Sequence, residues 1–161
     1  MKKAFYKRKR LWITLILLVT FSTPFLINPL NSFRKTVTFG LNLLGVHERT
    51  LRVGNYRLHY FEGGENNPKT VILLHGFGGN AMLTWMQLLP ALKKNYHVIA
   101  PDLLASNFLR LNPKTYSIDQ EVALVLAMME TMGINQANFV GLSVGGWIGL
   151  ILALEHPEKV D

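Results

Sequence analysis

The chain has 161 residues, 49% of them hydrophobic and 17% charged, and it contains no cysteine. A chain of this length can bury a core of its own, and without cysteine it has neither a disulfide framework nor a thiolate metal site. The formal charge of +7 comes mainly from the N-terminus, because six of the 17 basic residues lie among the first ten residues. The rest of the chain carries 11 basic and 10 acidic side chains. A nucleic-acid-binding domain spreads its positive charge over one face, so these numbers argue against nucleic acid as a partner.

The N-terminal segment is a basic tract followed by an apolar run. Residues 11–27 form a stretch of 17 residues without a charged side chain, and as a helix it would be about 25 Å long, at the short end of what a bilayer needs. We therefore predict a basic cytoplasmic tail at 1–10 and a transmembrane anchor at 11–27, with the rest of the chain in the periplasm or outside the cell. The alternative is a secretory signal that is cleaved, which would release the remainder, although no A-x-A-like cleavage site follows.

Residues 28–47 form an apolar juxtamembrane segment. Within it, Asn31 to Gly45 is predicted to be a helix that lies along the membrane surface or against the domain, with Gly45 as its end. Residues 48–161 form the body of the chain, where the pattern of apolar residues changes to that of strands and helices.

The body begins with two alternating segments, "ERTLRV" and "NYRLHYFE", separated by a turn at Gly54-Asn55. This pattern predicts a hairpin at the edge of a sheet, with one face in water. Three short apolar runs without alternation follow, at 70–76, 97–102 and 137–143. Runs of this kind are typical of strands that helices cover on both faces.

Helical patterns separate these strands, at 80–93, 117–132 and 145–156. Ser117 is the predicted N-cap of the second helix, with Gln120 as its capping-box partner and Gly133 as its end. Strands that alternate with helices predict a parallel sheet with right-handed crossovers, in which ligands meet the loops at the carboxyl ends of the strands. These loops are "HGFGGN", "PDLLAS" and "GLSVGG".

The third loop contains a serine between glycines, "GLSVG" at 141–145, at the point where a strand passes directly into a helix. Such a turn strains the central residue, and glycine on either side removes the Cβ atoms that would collide there. The Ser143 hydroxyl would project at the helix N-terminus, where free N–H groups favour negative charge. The motif and its placement predict a nucleophile elbow with Ser143 as the nucleophile.

The first loop offers a partner for this serine. An oxyanion hole needs two N–H donors that converge on one oxygen. The N–H group of Val144, directly after the serine, is one candidate donor, and that of Phe77 in "HGFGG" is the other.

The order "HGFGG", "PD", "GLSVGG" resembles the α/β-hydrolase family, in particular its lipases and esterases, over about residues 51–161. The apolar anchor followed by such a body is similar to membrane-bound monoacylglycerol lipases. The resemblance implies a mostly parallel sheet with helices on both faces, Ser143 as nucleophile and Phe77 and Val144 in the oxyanion hole. It implies lipids or small esters at the bilayer as substrates, with no metal and no cofactor. The remaining motif residues that it implies are His75, Gly76, Gly78, Gly141 and Gly145.

The other titratable residues have simpler interpretations. His75 is usually a structural residue of the oxyanion loop in this family, and Asp102 is interpreted as an acceptor of N–H groups in its loop. His59, His97 and His156 fall in a strand, at a strand start and at a helix end, and we interpret them as ordinary residues.

The resemblance also implies residues that this sequence does not place. The family order is serine, then acid, then histidine, and only 18 residues follow Ser143. We therefore expect an incomplete sheet of about five strands, an exposed edge and an uncovered helix face, and inactivity of this chain alone. The expectation is an N-terminal fragment of a longer hydrolase. The segment 101–112 also departs from the family, because it lacks a glycine-rich turn after the aspartate.

Two other functions remain open. The chain could be a non-catalytic remnant or a binding module on a hydrolase scaffold, or it could use the same serine for C–C bond hydrolysis or acyl transfer. Haloalkane or epoxide chemistry is disfavoured, because it would call for an aspartate at position 143.

Overall fold

The computed structural model describes residues 2–106 and 116–161, and for residues 2–9 and Phe21 it describes the backbone alone. The described chain divides into two compact units, residues 1–39 and residues 40–161. Residues 107–112 of the unusual segment after Asp102 lie outside the described part of the chain.

The first unit consists of helix α1, Lys2–Ile27, and most of helix α2, Pro29–Leu43. Within α1, the window Arg10–Ile27 has a mean hydropathy of 1.8 and is long and apolar enough to cross a membrane. Hydroxyl groups in this window bond back to carbonyl oxygens four residues earlier, as Thr20 does to Ile16 at 2.7 Å, which masks their polarity in an apolar environment. Helix α2 ends just before Gly45, whose φ of +71° is the left-handed conformation expected at a helix end.

The second unit is built on one mixed sheet of five strands. The strands are β1 (Val46–Val53), β2 (Tyr56–Gly63), β3 (Thr70–Leu74), β4 (His97–Pro101) and β5 (Asn138–Gly141), in the order β1-β2-β4-β3-β5. The hairpin pair β1–β2 and the pair β2–β4 are antiparallel, whereas β3 is parallel to both β4 and β5. This confirms the predicted edge hairpin and the three parallel strands.

Two long helices pack against this sheet. Helix α5, Ile118–Thr131, contacts β1 and α6, and helix α6, Val144–Glu155, contacts β3 and β5. Ser117 caps α5 by accepting the Gln120 N–H at 3.3 Å. The α5 end is a Schellman motif, in which Gly133 (φ +68°) bonds to Glu130 O and Ile134 to Met129 O. Both ends confirm the boundaries read from the sequence.

The helix predicted at 80–93 is wrong, because two short helices stand there, α3 (Ala81–Trp85) and α4 (Leu89–Leu92). Asn80 begins α3 by accepting the Leu83 N–H at 2.8 Å. Pro90 lies in the first turn of α4. Proline has no N–H for an intrahelical bond and its ring clashes with the preceding turn, so a helix can begin at this point but cannot run through it.

The core of this unit lies where the central strands meet α5 and α6. Its fully buried members include Ile72, Ile99, Met128, Ile148 and Leu152. The opposite side of α6 is different, since Trp147, Leu150 and Leu154 are 60%, 65% and 80% exposed. Strand β5 is likewise only half-covered, whereas its apolar run predicted a buried strand. It pairs with β3 on one side. On the other side, the described residues provide an isolated bridge from Ala137 to Val160.

Candidate active site

Ser143 is the residue directly before α6, at the sharp turn between strand and helix. Strand β5 ends at Gly141 and α6 begins at Val144, and Ser143 has φ 53° and ψ −116°. Among the described residues it is the only non-glycine residue with a positive φ. A side chain in this region of backbone conformation is strained, and strain of this kind concentrates at functional sites.

The glycines on either side of Ser143 allow strand and helix to approach each other. A Cβ atom placed on Gly145 would lie 2.1 Å from the carbonyl oxygen of Leu74, and one on Gly141 would lie 2.3 Å from the carbonyl oxygen of Gly145. Real Cβ contacts are never this short, so both positions require glycine. The turn thus has the packing that the sequence motif predicts.

The loop after β3 lies against this turn. A Cβ atom on Gly76 would be 3.5 Å from the Ser143 Cβ atom and 3.4 Å from the Leu142 carbonyl oxygen. The structure therefore brings the loop 75–79, which carries Phe77, next to Ser143. On the other side, Val144 is the first residue of α6, where the helix itself offers its N–H no acceptor.

His75 is fully buried at the base of this loop, and both of its ring nitrogens have partners. Nδ1 donates to the Gly76 carbonyl oxygen at 2.7 Å, and Nε2 accepts the Leu103 N–H at 2.9 Å. These contacts assign a neutral ring protonated at Nδ1. His75 is therefore placed to hold two loops together, in agreement with the structural interpretation made from the sequence.

The segment after β3 is tied to the loop after β4 at two further points, one in the loop 75–79 and one at the start of α3. Gly78, with φ +70°, donates its N–H to Ala105 O at 3.1 Å. Asp102 Oδ1 accepts the Ala81 N–H at 2.7 Å. Asp102 thus accepts a backbone N–H group, as the sequence suggested.

His59 makes side-chain hydrogen bonds that its position in a strand did not predict. Its Nδ1 bonds to Asp102 Oδ2 at 2.8 Å and its Nε2 to Glu48 Oε1 at 2.7 Å. The hydrogen bond that Asp102 accepts from His59 is the main cause of the raised pKa of His59, and burial of the ring opposes this rise. The alternation of β1 and β2 could have indicated that Glu48 and His59 share a face, but only the fold brings Asp102 to them.

His97 and His156 each lie near one glutamate. His97 pairs with Glu62 at 2.8 Å, and His156 lies 3.7 Å from Glu158. Within residues 2–106 and 116–161, the Ser143 hydroxyl has no hydrogen-bonded histidine, and no three His, Asp or Glu side chains are grouped as a metal ion would require.

The surroundings of Ser143 are open and apolar. Ser143 itself is exposed, and Phe77 and Leu142 are 55% and 54% exposed. Within the described residues, the Ser143 hydroxyl is therefore not enclosed in a dry pocket. N–H donors that face water are weaker electrostatic partners than donors in a dry site.

Comparison with known proteins gives one consistent result. A model of the alpha/beta hydrolase fold matches residues 69–161. The chain is 34% identical over 113 residues to 2-hydroxymuconate semialdehyde hydrolase of a Pseudomonas species, covering 70% of this chain and 40% of that protein. A solved serine hydrolase from Cycloclasticus zankles is 32% identical, with a TM-score of 0.65 over 73% of this chain and 44% of that one.

A third similar protein also spans the N-terminal helices. The solved structure of a membrane phospholipase A, described as a bacterial virulence factor, matches 99% of this chain and 50% of its own, at 29% identity and a TM-score of 0.70. The chain spans about 40% of the length of the curated relatives it matches. The sheet order, the serine turn and these matches agree, and the chain belongs to the α/β-hydrolase fold family.

Proposed function

We propose that this protein is a serine hydrolase of carboxylic esters or lipids, with Ser143 as its nucleophile. The observation that carries the proposal is the conformation of Ser143, a strained non-glycine residue held between β5 and α6 by two obligatory glycines. A plain tight turn would accept glycine at this position without strain. The strained serine is therefore best explained by what its hydroxyl group does.

In the proposed reaction the Ser143 hydroxyl oxygen attacks the ester carbonyl carbon, and the negative charge develops on the former carbonyl oxygen. The backbone N–H groups of Val144 and Phe77 would donate to that oxygen, with the N-terminus of α6 adding its positive end. The collapse of the tetrahedral intermediate then releases the alcohol and leaves an acyl-serine.

The attack also requires a base that takes the hydroxyl proton. No side chain of the described residues is in place to do so, and a serine hydroxyl without a base is a weak nucleophile. We therefore expect the 161-residue chain alone to hydrolyse esters several orders of magnitude more slowly than an enzyme with a complete triad.

We propose lipids or small esters at a bilayer as the substrate class. Phe77 and Leu142 expose apolar surface beside Ser143, and α1 contains an apolar window that fits a membrane span. The similarity to a membrane phospholipase A covers both the N-terminal helices and the serine turn. With its basic tail in the cytoplasm, α1 would hold the hydrolase body on the outer side of the membrane; cleavage of the segment as a signal would secrete the body instead.

The test is covalent labelling with a fluorophosphonate probe. In the detergent-solubilised protein we expect slow labelling whose site, identified by peptide mass spectrometry, is Ser143. Labelling should disappear in Ser143→Ala and persist in the control Ser106→Ala, a serine in the loop after β4. A folded protein that never labels at Ser143 would instead support the non-catalytic remnant or binding module.

An ester assay complements the labelling. If the 161-residue chain hydrolyses a p-nitrophenyl ester as fast as a complete lipase, and Ser143→Ala abolishes this, the expectation that it lacks a base is wrong. C–C bond hydrolysis, the alternative left open by the sequence, would show as turnover of a vinylogous diketone substrate with no turnover of esters.

A further inference from the structure

Glu121 is a buried carboxylate that the proposed reaction does not use. It lies in the first turn of α5 and has no exposed surface. Its Oε1 accepts the Ala105 N–H at 2.7 Å, its Oε2 accepts the Leu104 N–H at 2.9 Å, and the Tyr116 hydroxyl donates to Oε1 at 3.2 Å. Each carboxylate oxygen thus holds one peptide group of the loop after β4.

Two contacts lead from the partners of Glu121 to the loop that carries Phe77. The Ala105 carbonyl oxygen accepts the Gly78 N–H at 3.1 Å. The Tyr116 ring meets the Phe77 ring edge-on, with ring centroids 6.1 Å apart. The first contact fixes the backbone directly after Phe77, and the second fixes the Phe77 side chain.

Burial of the Glu121 carboxylate at this position costs free energy. Burial raises the pKa of Glu121, and the N–H groups of Ala105 and Leu104 oppose that rise. Among the described residues no lysine or arginine lies within ion-pair distance of it. A buried charge held by two peptide N–H groups and one hydroxyl group, without an ion-pair partner among the described residues, stabilises a fold little. The role of this carboxylate is therefore the geometry that it imposes on the loop.

We propose that Glu121 is a positioning residue for the loop 75–79, which it holds beside Ser143 through Ala105 and Tyr116. The inference rests on the proposed function, because it assigns that loop the second oxyanion donor. An oxyanion donor must be placed to within about 0.5 Å to be effective. Its contribution arises only in the transition state, so a displaced loop lowers the rate of reaction and leaves substrate binding unchanged.

The first experiment measures how firmly the loop 75–79 is held. Amide hydrogen exchange at Gly78 is compared between the wild-type chain and Glu121→Gln, in which the new NH₂ group opposes a backbone N–H donor. We expect exchange at Gly78 to be faster by about tenfold or more, with Ile72 and Ile99 in the sheet unchanged. Glu130→Gln, the same substitution on the exposed side of α5, is the matched control and should leave Gly78 exchange at the wild-type rate.

The second experiment measures the rate at which Ser143 reacts. At saturating fluorophosphonate, Glu121→Gln should reduce the first-order rate of Ser143 labelling by roughly 10- to 100-fold, while the half-saturating probe concentration stays the same. Tyr116→Ala, which removes the ring contact and the hydroxyl donor to Glu121 but leaves both peptide N–H contacts of the carboxylate, should reduce the rate less. Tyr116→Phe, which keeps the ring, should label almost as the wild type does.

The outcomes separate the two proposals. Wild-type exchange at Gly78 and wild-type labelling in Glu121→Gln would overturn the positioning role. Faster exchange at Gly78 in a chain whose Ser143 never labels would support the positioning role and overturn the proposed function alone. If Glu121→Gln fails to fold, Tyr116→Ala decides: a folded variant with unchanged Gly78 exchange and unchanged labelling overturns the proposal.

Discussion

At the scale of single residues, Gly145 and Gly149 show that a glycine in α6 can have opposite roles. A Cβ atom on Gly145 would overlap the backbone of Leu74, whereas one on Gly149 would lie 3.7 Å from the Phe139 Cβ atom, an ordinary contact. The helix therefore touches the sheet through backbone atoms at its first turn and through side chains further along. This contrast gives a matched pair of substitutions.

We expect Gly145→Ala to destabilise the second unit by about 3 kcal/mol or more, because α6 must move away from β3 to accept the methyl group. Gly149→Ala should be neutral or stabilising by up to about 1 kcal/mol, since alanine favours helix and the space exists. Urea unfolding followed by tryptophan fluorescence measures both. Equal effects of the two substitutions would contradict the close approach of α6 to Leu74.

The residues of the site differ in how far the sequence could predict them. Ser143, Gly141 and Gly145 were predictable, because a motif of five residues fixes a local backbone turn. Glu121 was not, since a glutamate in the first turn of a helix is ordinarily exposed and its burial depends on the loop that folds over it. His59 was missed for the same reason, as its partner Asp102 is 43 positions away along the chain.

At the scale of elements, the His59 side chain joins the edge hairpin to the loop after β4. Its two ring nitrogens face carboxylates of Glu48 and Asp102, and carboxylates accept but do not donate hydrogen bonds. Both nitrogens can donate only when the ring is an imidazolium. The connection between β1, β2 and β4 is therefore sensitive to pH.

The folded-state pKa of His59 is raised above its ordinary value of 6.5, so its stabilisation is complete below pH 6.5 and is lost as pH rises through the folded pKa. We expect His59→Gln to lower the free energy of unfolding by about 2 kcal/mol at pH 6 and by clearly less at pH 9. Thr131→Ala, which changes no titratable group, should have the same effect at both pH values. A His59→Gln effect that grows with pH would contradict the assigned protonation.

The elements themselves were largely predictable from the periodicity of apolar residues. The hairpin, the strands at β3 and β4 and the caps of α5 follow from local patterns that the fold does not override. The helix at 80–93 was not predictable in this way, because its apolar stripe continues across a proline at which the helix breaks. The burial of β5 was overestimated, because the same apolar run occurs in central and in edge strands.

At the scale of the whole molecule, three helices of the described chain each expose several large apolar side chains. They are α1, from Leu11 to Val19, α2, for example at Leu30 and Leu43, and α6, on its outer side. Exposed apolar surface of this extent is typical of sites that contact lipid or protein. For α1 the adjacent basic tail favours lipid, and the proposed orientation has the tail in the cytoplasm.

This orientation is testable, because the chain has no cysteine of its own. In intact spheroplasts, a membrane-impermeant maleimide should label Asn66→Cys, in the exposed loop between β2 and β3, and should not label Lys3→Cys. Permeabilised cells should label both. Protection of Asn66→Cys in spheroplasts would contradict the proposed orientation. A protein of lower mass in the medium would show that residues 11–27 act as a cleaved signal.

The backbone at position 143 has a consequence for how this protein can change. An L-amino acid with φ 53° and ψ −116° raises the energy of the native state by about 1–3 kcal/mol, which glycine would release. Selection for thermal robustness alone would therefore drive this position toward glycine and delete the hydroxyl. Under the proposed function, serine remains at this position because its hydroxyl group carries out the reaction, so the substitution that would relieve the strain would also abolish the activity.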